Sequence, residues 1–434
     1  MDLKQFFLED FREFSLDDTQ RSLPSMIDGL KESQRKIIYG LYTKGINLNE
    51  IKVAQLAATV SECTDYHHGE NSLESAIVGL ANNYAGSNNI NLLEPIGTFG
   101  SRLSPEASPA RYIYTKFTPH FRELFRKEDD SILEHHYSDD MKIEPKYYLP
   151  LLPMVIINGS IGIGTGYACK ILSYNPKDVR SNILAVLNGR RMKSLLPWYK
   201  NFNGTIKTIE DSYIISGKLK VVNTTTIKIT ELPIGTYLDK YKAHLIKMEN
   251  IGLIKDFEDN STEEHFEFII KAPRTTTSMD LEKLYSSFQL NTKVKENITV
   301  WNVDWKIRKY NNVNELIKEF VTFRVEKYEV RRLNNIKTMG EELKWLAEKL
   351  KFIKYYLVNS QLFTKKGKDA LLQMLSKEGF THIDKLLSLK IYSLTKDEIV
   401  KLKNNIKKIS SEYKLMKNNT AKDMYIEELK SLKL

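Results

Sequence analysis

Ile51-Lys-Val-Ala-Gln-Leu-Ala-Ala-Thr-Val60, the turn Asp65-Tyr-His-His-Gly-Glu70 and Asn71-Ser-Leu-Glu-Ser-Ala-Ile-Val-Gly-Leu80 decide how the first third of this chain folds. Val53, Leu56, Ala57 and Val60 recur at i, i+3, i+4 and i+7, the spacing that gathers apolar side chains on one face of an α-helix. Past the polar turn, Leu73, Ile77, Leu80 and Tyr84 share a second helical face, and Asn71 or Ser72 is placed to cap its first N–H groups. Helix, short glycine-containing turn, helix is the outline of a helix-turn-helix unit, although many αα-hairpins read the same way.

Outward from that hairpin the texture changes. The N-terminal stretch MDLKQFFLEDFREF alternates charged with apolar residues and has no apolar core segment of the kind a signal peptide needs. From about residue 153, short β-branched runs such as Leu219-Lys-Val-Val222 and Thr226-Ile-Lys-Ile-Thr230, broken by Gly, Pro and Asn, predict an α+β region. After residue 311 the chain turns helical and Lys-rich. Ile336, Met339, Leu343, Leu346, Leu350, Ile353 and Leu357 recur at alternating spacings of three and four, and Ile399, Leu402, Ile406, Ile409, Tyr413 and Met416 do the same. Two such helices around a globule at roughly 360–395 predict an antiparallel coiled-coil arm with a knob at its tip; an ordinary helical bundle is the alternative.

The 434 residues allow roughly two to four domains. Lys and Arg total 65 against 55 Asp and Glu, a net charge of +10, which suits a polyanionic partner or simply a solvated Lys-rich surface. Cys63 and Cys169 are too far apart in sequence for a metal-ligand spacing and predict no disulfide framework, in keeping with a reducing, cytoplasmic setting. The longest apolar run, Leu149-Pro-Leu-Leu-Pro-Met-Val-Ile-Ile157, is far shorter than the roughly 20 residues that span a bilayer, so no membrane partner is expected.

The stretch with the most chemistry in it is Ala107-Ser-Pro-Ala-Arg-Tyr-Ile-Tyr-Thr115. A tyrosine hydroxyl is a poor nucleophile near neutral pH, and a neighbouring cation such as Arg111 beside Tyr112 stabilises both a phenolate and a phosphate under attack. An Arg-Tyr pair alone is commonplace. Here it follows Arg21-Ser-Leu-Pro-Ser-Met-Ile-Asp-Gly-Leu-Lys-Glu-Ser-Gln-Arg-Lys36, Tyr66-His-His-Gly-Glu-Asn-Ser72 and Gly97-Thr-Phe-Gly100-Ser-Arg102. It precedes Ile143-Glu-Pro-Lys-Tyr-Tyr-Leu-Pro150, Asn158-Gly-Ser-Ile-Gly-Ile-Gly-Thr-Gly166, Trp198-Tyr-Lys-Asn-Phe-Asn-Gly-Thr-Ile206 and Ile229-Thr-Glu-Leu-Pro233.

In this order the motifs resemble the breakage-reunion part of type IIA DNA topoisomerases over most of the chain. The resemblance implies that Tyr112 attacks a DNA phosphate to form a 5′-phosphotyrosyl link, with Arg111 steadying the phosphate; Tyr114, the obvious competitor, lacks a preceding Arg and reads as packing or DNA-contacting. It makes His68, with His67 second, the active-site histidine, and places Arg21 and Lys36 in the same pocket. Lys31, Arg35, Asn71, Ser72 and Arg102 become expected DNA contacts, and Ile163 an apolar wedge that enters a base step, unless it merely packs a tight loop. A dinucleotide fingerprint at Gly162-Ile-Gly-Thr-Gly166, read as following an apolar strand, fails because the third glycine is missing.

What the resemblance implies for architecture is an N-terminal arm at 1–20, a winged-helix DNA-cleavage domain at 21–152, an α+β tower at 153–310, and a coiled coil with a C-terminal dimer gate at 311–434. No Walker motif is found, and no TOPRIM-type Glu with Asp-x-Asp; the clusters His135-His136 and Asp139-Asp140 have no partner carboxylate, so no metal site is expected here. Mg²⁺ and ATP are then expected on TOPRIM and ATPase partner subunits. A short chain with this His-His-Gly pattern and no β-rich tail looks most like the medium subunit of T-even-like phage topoisomerases, working as a homodimer on double-stranded DNA in the host cytoplasm. A bacterial gyrase-type subunit, or a non-catalytic DNA-binding or scaffolding protein that keeps the fold, is the alternative.

Overall fold

The computed structural model describes residues 3–45, 49–365, 367–390, 392 and 394–433, and in it the expected hairpin forms. The helix Val53–Thr64 buries Val53, Leu56, Ala57 and Val60, and the helix Glu70–Ala81 buries Leu73, Ile77 and Leu80. The second helix starts at Glu70, so its cap is Gly69 and neither Asn71 nor Ser72; Tyr84 falls beyond its end. The helix Glu32–Thr43 packs on the first of these, and Gly40 is what lets it close in, because a Cβ there would lie 2.6 Å from Val60 Cγ2. A two-stranded ladder, Ile51–Lys52 against Tyr114–Thr115, joins this three-helix group to the segment that carries Tyr112.

The chain divides into two compact units, Met1–Arg324 with Glu428–Leu434, and Val325–Glu427. In the first, the β-branched runs form an antiparallel four-stranded sheet in the order Asp256–Asp259, Phe268–Lys271, Thr226–Glu231, Lys218–Asn223. Alternation along Thr226–Glu231 sends Ile227 and Ile229 inward, onto Tyr241, Leu245 and Met248 of the helix Leu238–Asn250. Asn291–Val294, Ser212–Ser216 and Thr205–Ile209 make a three-stranded sheet. The glycine-rich segment is itself a hairpin, Ser160–Gly164 with Tyr167–Ile171. The apolar run before it is the helical turn Met154–Ile157, where the sequence reads as a strand; it is buried throughout and so shows no alternation to identify it.

The second unit contains most of the long helix Val313–Lys365, which kinks at Asn359, and the helix Lys396–Asn418. The two run antiparallel: Arg332 reaches Met416 O, Gly340 faces Tyr413, and Lys349 pairs with Glu398. Leu346, Ile353, Leu402 and Ile409 are buried in their seam, flanked by Met339, Leu343, Leu350, Ile399 and Ile406. The heptad spacing puts Leu357 in that seam as well, yet it is 39% exposed. Between the two helices, Leu375 of helix Lys368–Lys377 and Leu386 of helix Ile383–Leu387 join Phe352 and Phe380 in a separate small core.

Candidate active site

Tyr112 is presented by a turn that is tied to the hairpin from behind. The helix Val53–Thr64 has no capping side chain; instead its first free N–H groups, of Val53 and Ala54, donate to Ile113 O (3.0 Å) and Ala110 O (3.2 Å). Tyr112 N–H closes the turn on Pro109 O at 2.9 Å. Ile113 is buried beneath Gly97, whose φ is +105° and where a Cβ would sit 2.9 Å from Ile113 Cγ2. With Ile113 anchored inward, the neighbouring Tyr112 side chain faces solvent, 65% exposed, and the Arg111 guanidinium lies 5.1 Å from its ring centroid. Tyr114 is held differently: its backbone bonds both ways to Ile96, its ring is half-buried, and Lys52 Nζ lies 5.9 Å from its centroid.

Several other expected residues meet in one cleft of about 610 Å³, lined by Arg21, Lys31, His68, Ser72 and Ile163 together with Asp18, Gln34, Tyr66, Ser75 and Ile161. Tyr112 and Arg111 are not part of that lining. One wall is the hairpin, on which Ile161 (67% exposed) and Ile163 (80% exposed) point the same way two residues apart. Three contacts fix this blade. Lys31 Nζ donates to Ile161 O at 2.8 Å, and burial holds its ammonium below the usual lysine value. Gly162 passes so close to the helix Asp10–Ser22 that a Cβ would lie 2.0 Å from Ser22 O. Asp18 accepts from both the hydroxyl (2.7 Å) and the N–H (2.6 Å) of Thr165, bonds that hold its carboxyl below the ordinary range. His68 stands edge-on to Tyr66 at 5.2 Å. Asn71 is exposed in the first turn of the helix Glu70–Ala81.

Three expected cations lie elsewhere. Arg35 forms a buried pair with Asp28 (Nε to Oδ2, 2.7 Å) and also bonds Leu30 O. Lys36 is buried against Glu144 at 2.7 Å and donates to Thr64 O at 2.9 Å. Arg102 is buried against Glu231 and Leu232 O, both at 2.9 Å. Arg35 and Lys36 line a second cavity of about 570 Å³, with His67, which stands 3.3 Å from Asp65, at its mouth. Sequence reasoning misses Asp18 and Ile161. Ile161 carries a signal, the two-residue alternation with Ile163; Asp18 carries none, since its partner Thr165 is far along the chain.

Among the described residues no group of three or more His, Cys, Asp and Glu side chains could hold a metal ion, and no helix is long and apolar enough to cross a membrane. The sequence profile of the DNA gyrase/topoisomerase IV A-subunit family matches residues 21–430. DNA topoisomerase 2 of Bombyx mori is 40% identical over 378 residues, 85% of this chain and 24% of that protein. DNA topoisomerase 2 of Saccharomyces cerevisiae is 37% identical over 433 residues, 94% of this chain and 30% of that protein. This chain therefore spans only about a quarter of its curated relatives. The crystal structure of the Plasmodium falciparum topoisomerase II DNA-binding, cleavage and re-ligation domain superposes with a TM-score of 0.91 at 34% identity, covering 98% of this chain and 63% of that one. On the profile match and this likeness together, the chain belongs to the A-subunit family of DNA gyrase and topoisomerase IV, the breakage-reunion module of type IIA topoisomerases.

Proposed function

We propose that this chain breaks and rejoins double-stranded DNA, with Tyr112 as the nucleophile. The observation that carries the reading is the presentation of Tyr112: a solvent-facing phenol on a turn braced by a helix start, with a guanidinium beside it, in a chain of this family. The Tyr112 hydroxyl attacks phosphorus, a P–O bond to tyrosine forms, and the P–O3′ bond breaks. The phenolic proton leaves and the departing 3′ oxygen gains one. The 5′ phosphate stays on the enzyme, so the bond energy is kept and the 3′ hydroxyl reverses the step. Arg111 offsets charge on the attacked phosphate, while Arg21 and Lys31, with His68, offer cations and a hydrogen-bonding ring to the adjoining backbone in a cleft that Asp18 and Glu32 also line. Ile163, with Ile161 beside it, is the wedge that opens a base step. Asn71 and Ser72, at a helix start, suit phosphate contacts. Arg35, Lys36 and Arg102, being buried and paired, act as positioning residues, and His67 sits at the edge.

The wider reading assigns 21–152 to a winged-helix cleavage domain, 153–310 to a tower and 311–434 to a coiled-coil arm with a dimer gate, through which two copies bring two Tyr112 side chains to opposite strands. Val358 (82% exposed) and Tyr392 (73% exposed), in the segment of the proposed gate, support a self-association surface there. Mg²⁺ for cleavage and ATP for strand passage belong, on this reading, to TOPRIM and ATPase partner subunits, as the resemblance to the phage medium subunit implies; the matched relatives themselves are eukaryotic topoisomerases 2. The reaction is placed in the cytoplasm.

Covalent trapping tests the proposal. The chain, a competent TOPRIM-bearing partner, Mg²⁺ and end-labelled duplex are mixed and quenched with detergent. Label should join wild type and Tyr114→Phe but not Tyr112→Phe. Label missing from wild type while duplex binding persists would replace this reading with the non-catalytic one.

A further inference from the structure

We infer that the cavity at the start of the helix Pro176–Leu187 is a nucleotide-binding site, taking phosphate on Lys177, Lys200 and Lys433 and a base against Trp198. It shares no lining residue with the cleft at His68 or the cavity at Lys36. Its volume is about 280 Å³, close to the lower bound for small-ligand sites, which suits one nucleotide unit.

The lining is cationic. The chain has 55 Asp and Glu, yet none lines this cavity, which carries three lysines and His120. Among the described residues, none of the three lysines is ion-paired, whereas Arg35, Lys36 and Arg102 are. With no carboxylate in the lining to offset these lysines, the hollow favours an anion. The helix start that lines the cavity is already capped, since Asn175 Oδ1 accepts from Lys177 N–H at 2.9 Å and Asn175 O accepts from the N–H groups of Asp178 and Val179, so the phosphate rests on the lysines and not on free N–H groups.

The wall behind those charges is rigid. Asn89 is 5% exposed and donates from Nδ2 to Ile157 O, Tyr174 O and Trp198 O while its Oδ1 accepts from Lys200 N. One buried amide thus pins the backbone on which both Trp198 and Lys200 stand. Trp198 N–H also donates to Ser173 O at 2.7 Å. The indole is 37% exposed and open to stacking, an interaction every base can make. A preformed wall with a flat aromatic face and cations around it recognises a phosphate joined to a ring.

Such a nucleotide is either free or part of an unpaired strand. Isothermal titration of the full chain with ATP, with pyrophosphate and with a short single-stranded oligonucleotide separates these sources. Lys177→Glu/Lys200→Glu should weaken ATP or the strand roughly tenfold or more, with an unchanged melting curve because both positions are exposed. Trp198→Ala should weaken ATP more than pyrophosphate, which has no base. Heat with ATP identifies a free nucleotide; heat with the strand alone, lost in the double variant, identifies nucleic acid. Equal binding by wild type and double variant, or no binding of any probe at about millimolar concentration, overturns the inference.

Discussion

Lys36 and Glu144 face each other at 2.7 Å with both side chains almost wholly out of water, so a substitution at one is felt through the other. Among the described residues the buried Glu144 Oε2 has no hydrogen-bond partner, so the ammonium at Oε1 is what offsets the cost of burying this carboxylate. Lys36→Met should therefore destabilise the fold by roughly 3–5 kcal/mol in a urea titration, while Lys36→Met with Glu144→Leu should recover most of it, since a buried pair replaced by apolar groups is nearly neutral. A Lys36→Met chain of full stability that fails to cleave DNA would instead make Lys36 a direct participant. Tyr112 can be singled out from sequence because its setting is local, the Arg before it and the ordered motifs around it. The pairing of Lys36, Arg35 and Arg102 is illegible there, because Glu144 and Glu231 lie far along the chain and no pattern marks Asp28 as the partner of Arg35.

At the scale of elements, periodicity carries well wherever one face alone is buried. Val53, Leu56, Ala57 and Val60, and the seam from Met339 to Ile353, can be read off directly. It fails where a segment is buried all round, as at Met154–Ile157, and at helix starts, where Gly69 offers no side chain for a cap rule to find. The loop before the helix Ile383–Leu387 shows a further device. Burial alone would raise the Glu348 carboxyl, but bonds from His382 Nδ1 and from the N–H groups of His382 and Thr381 outweigh it and hold it down to about 2, against an ordinary 4.5. A carboxyl that titrates lower when folded stabilises the chain fully above its unfolded value and loses that contribution as pH falls toward the folded one. Wild type should thus melt above Glu348→Gln at pH values over 4.5, and the two melting temperatures should converge as pH falls from there toward 2. A difference constant across that window would exclude Glu348 as the cause.

At the scale of the whole molecule, the division into two units bears on assembly. The two-copy arrangement proposed above needs a surface, and Val358 and Tyr392 are large apolar side chains left to solvent in one and the same unit. Val358→Glu with Tyr392→Glu should shift the chain to monomer in sedimentation velocity without lowering its melting temperature; a wild type already monomeric would remove this route to pairing. The blade of Ile161 and Ile163 carries another consequence, one of heat. Lys31, Gly162 and Thr165 already hold it in shape, so a duplex that receives it has little side-chain freedom left to quench, and two exposed isoleucines pass from water into a stack of bases. Association should then carry a negative heat-capacity change that shrinks in Ile161→Ser/Ile163→Ser, measurable as a flatter dependence of binding enthalpy on temperature. The opening of the base step would be driven by dehydration, and it would weaken on cooling as all such burial does.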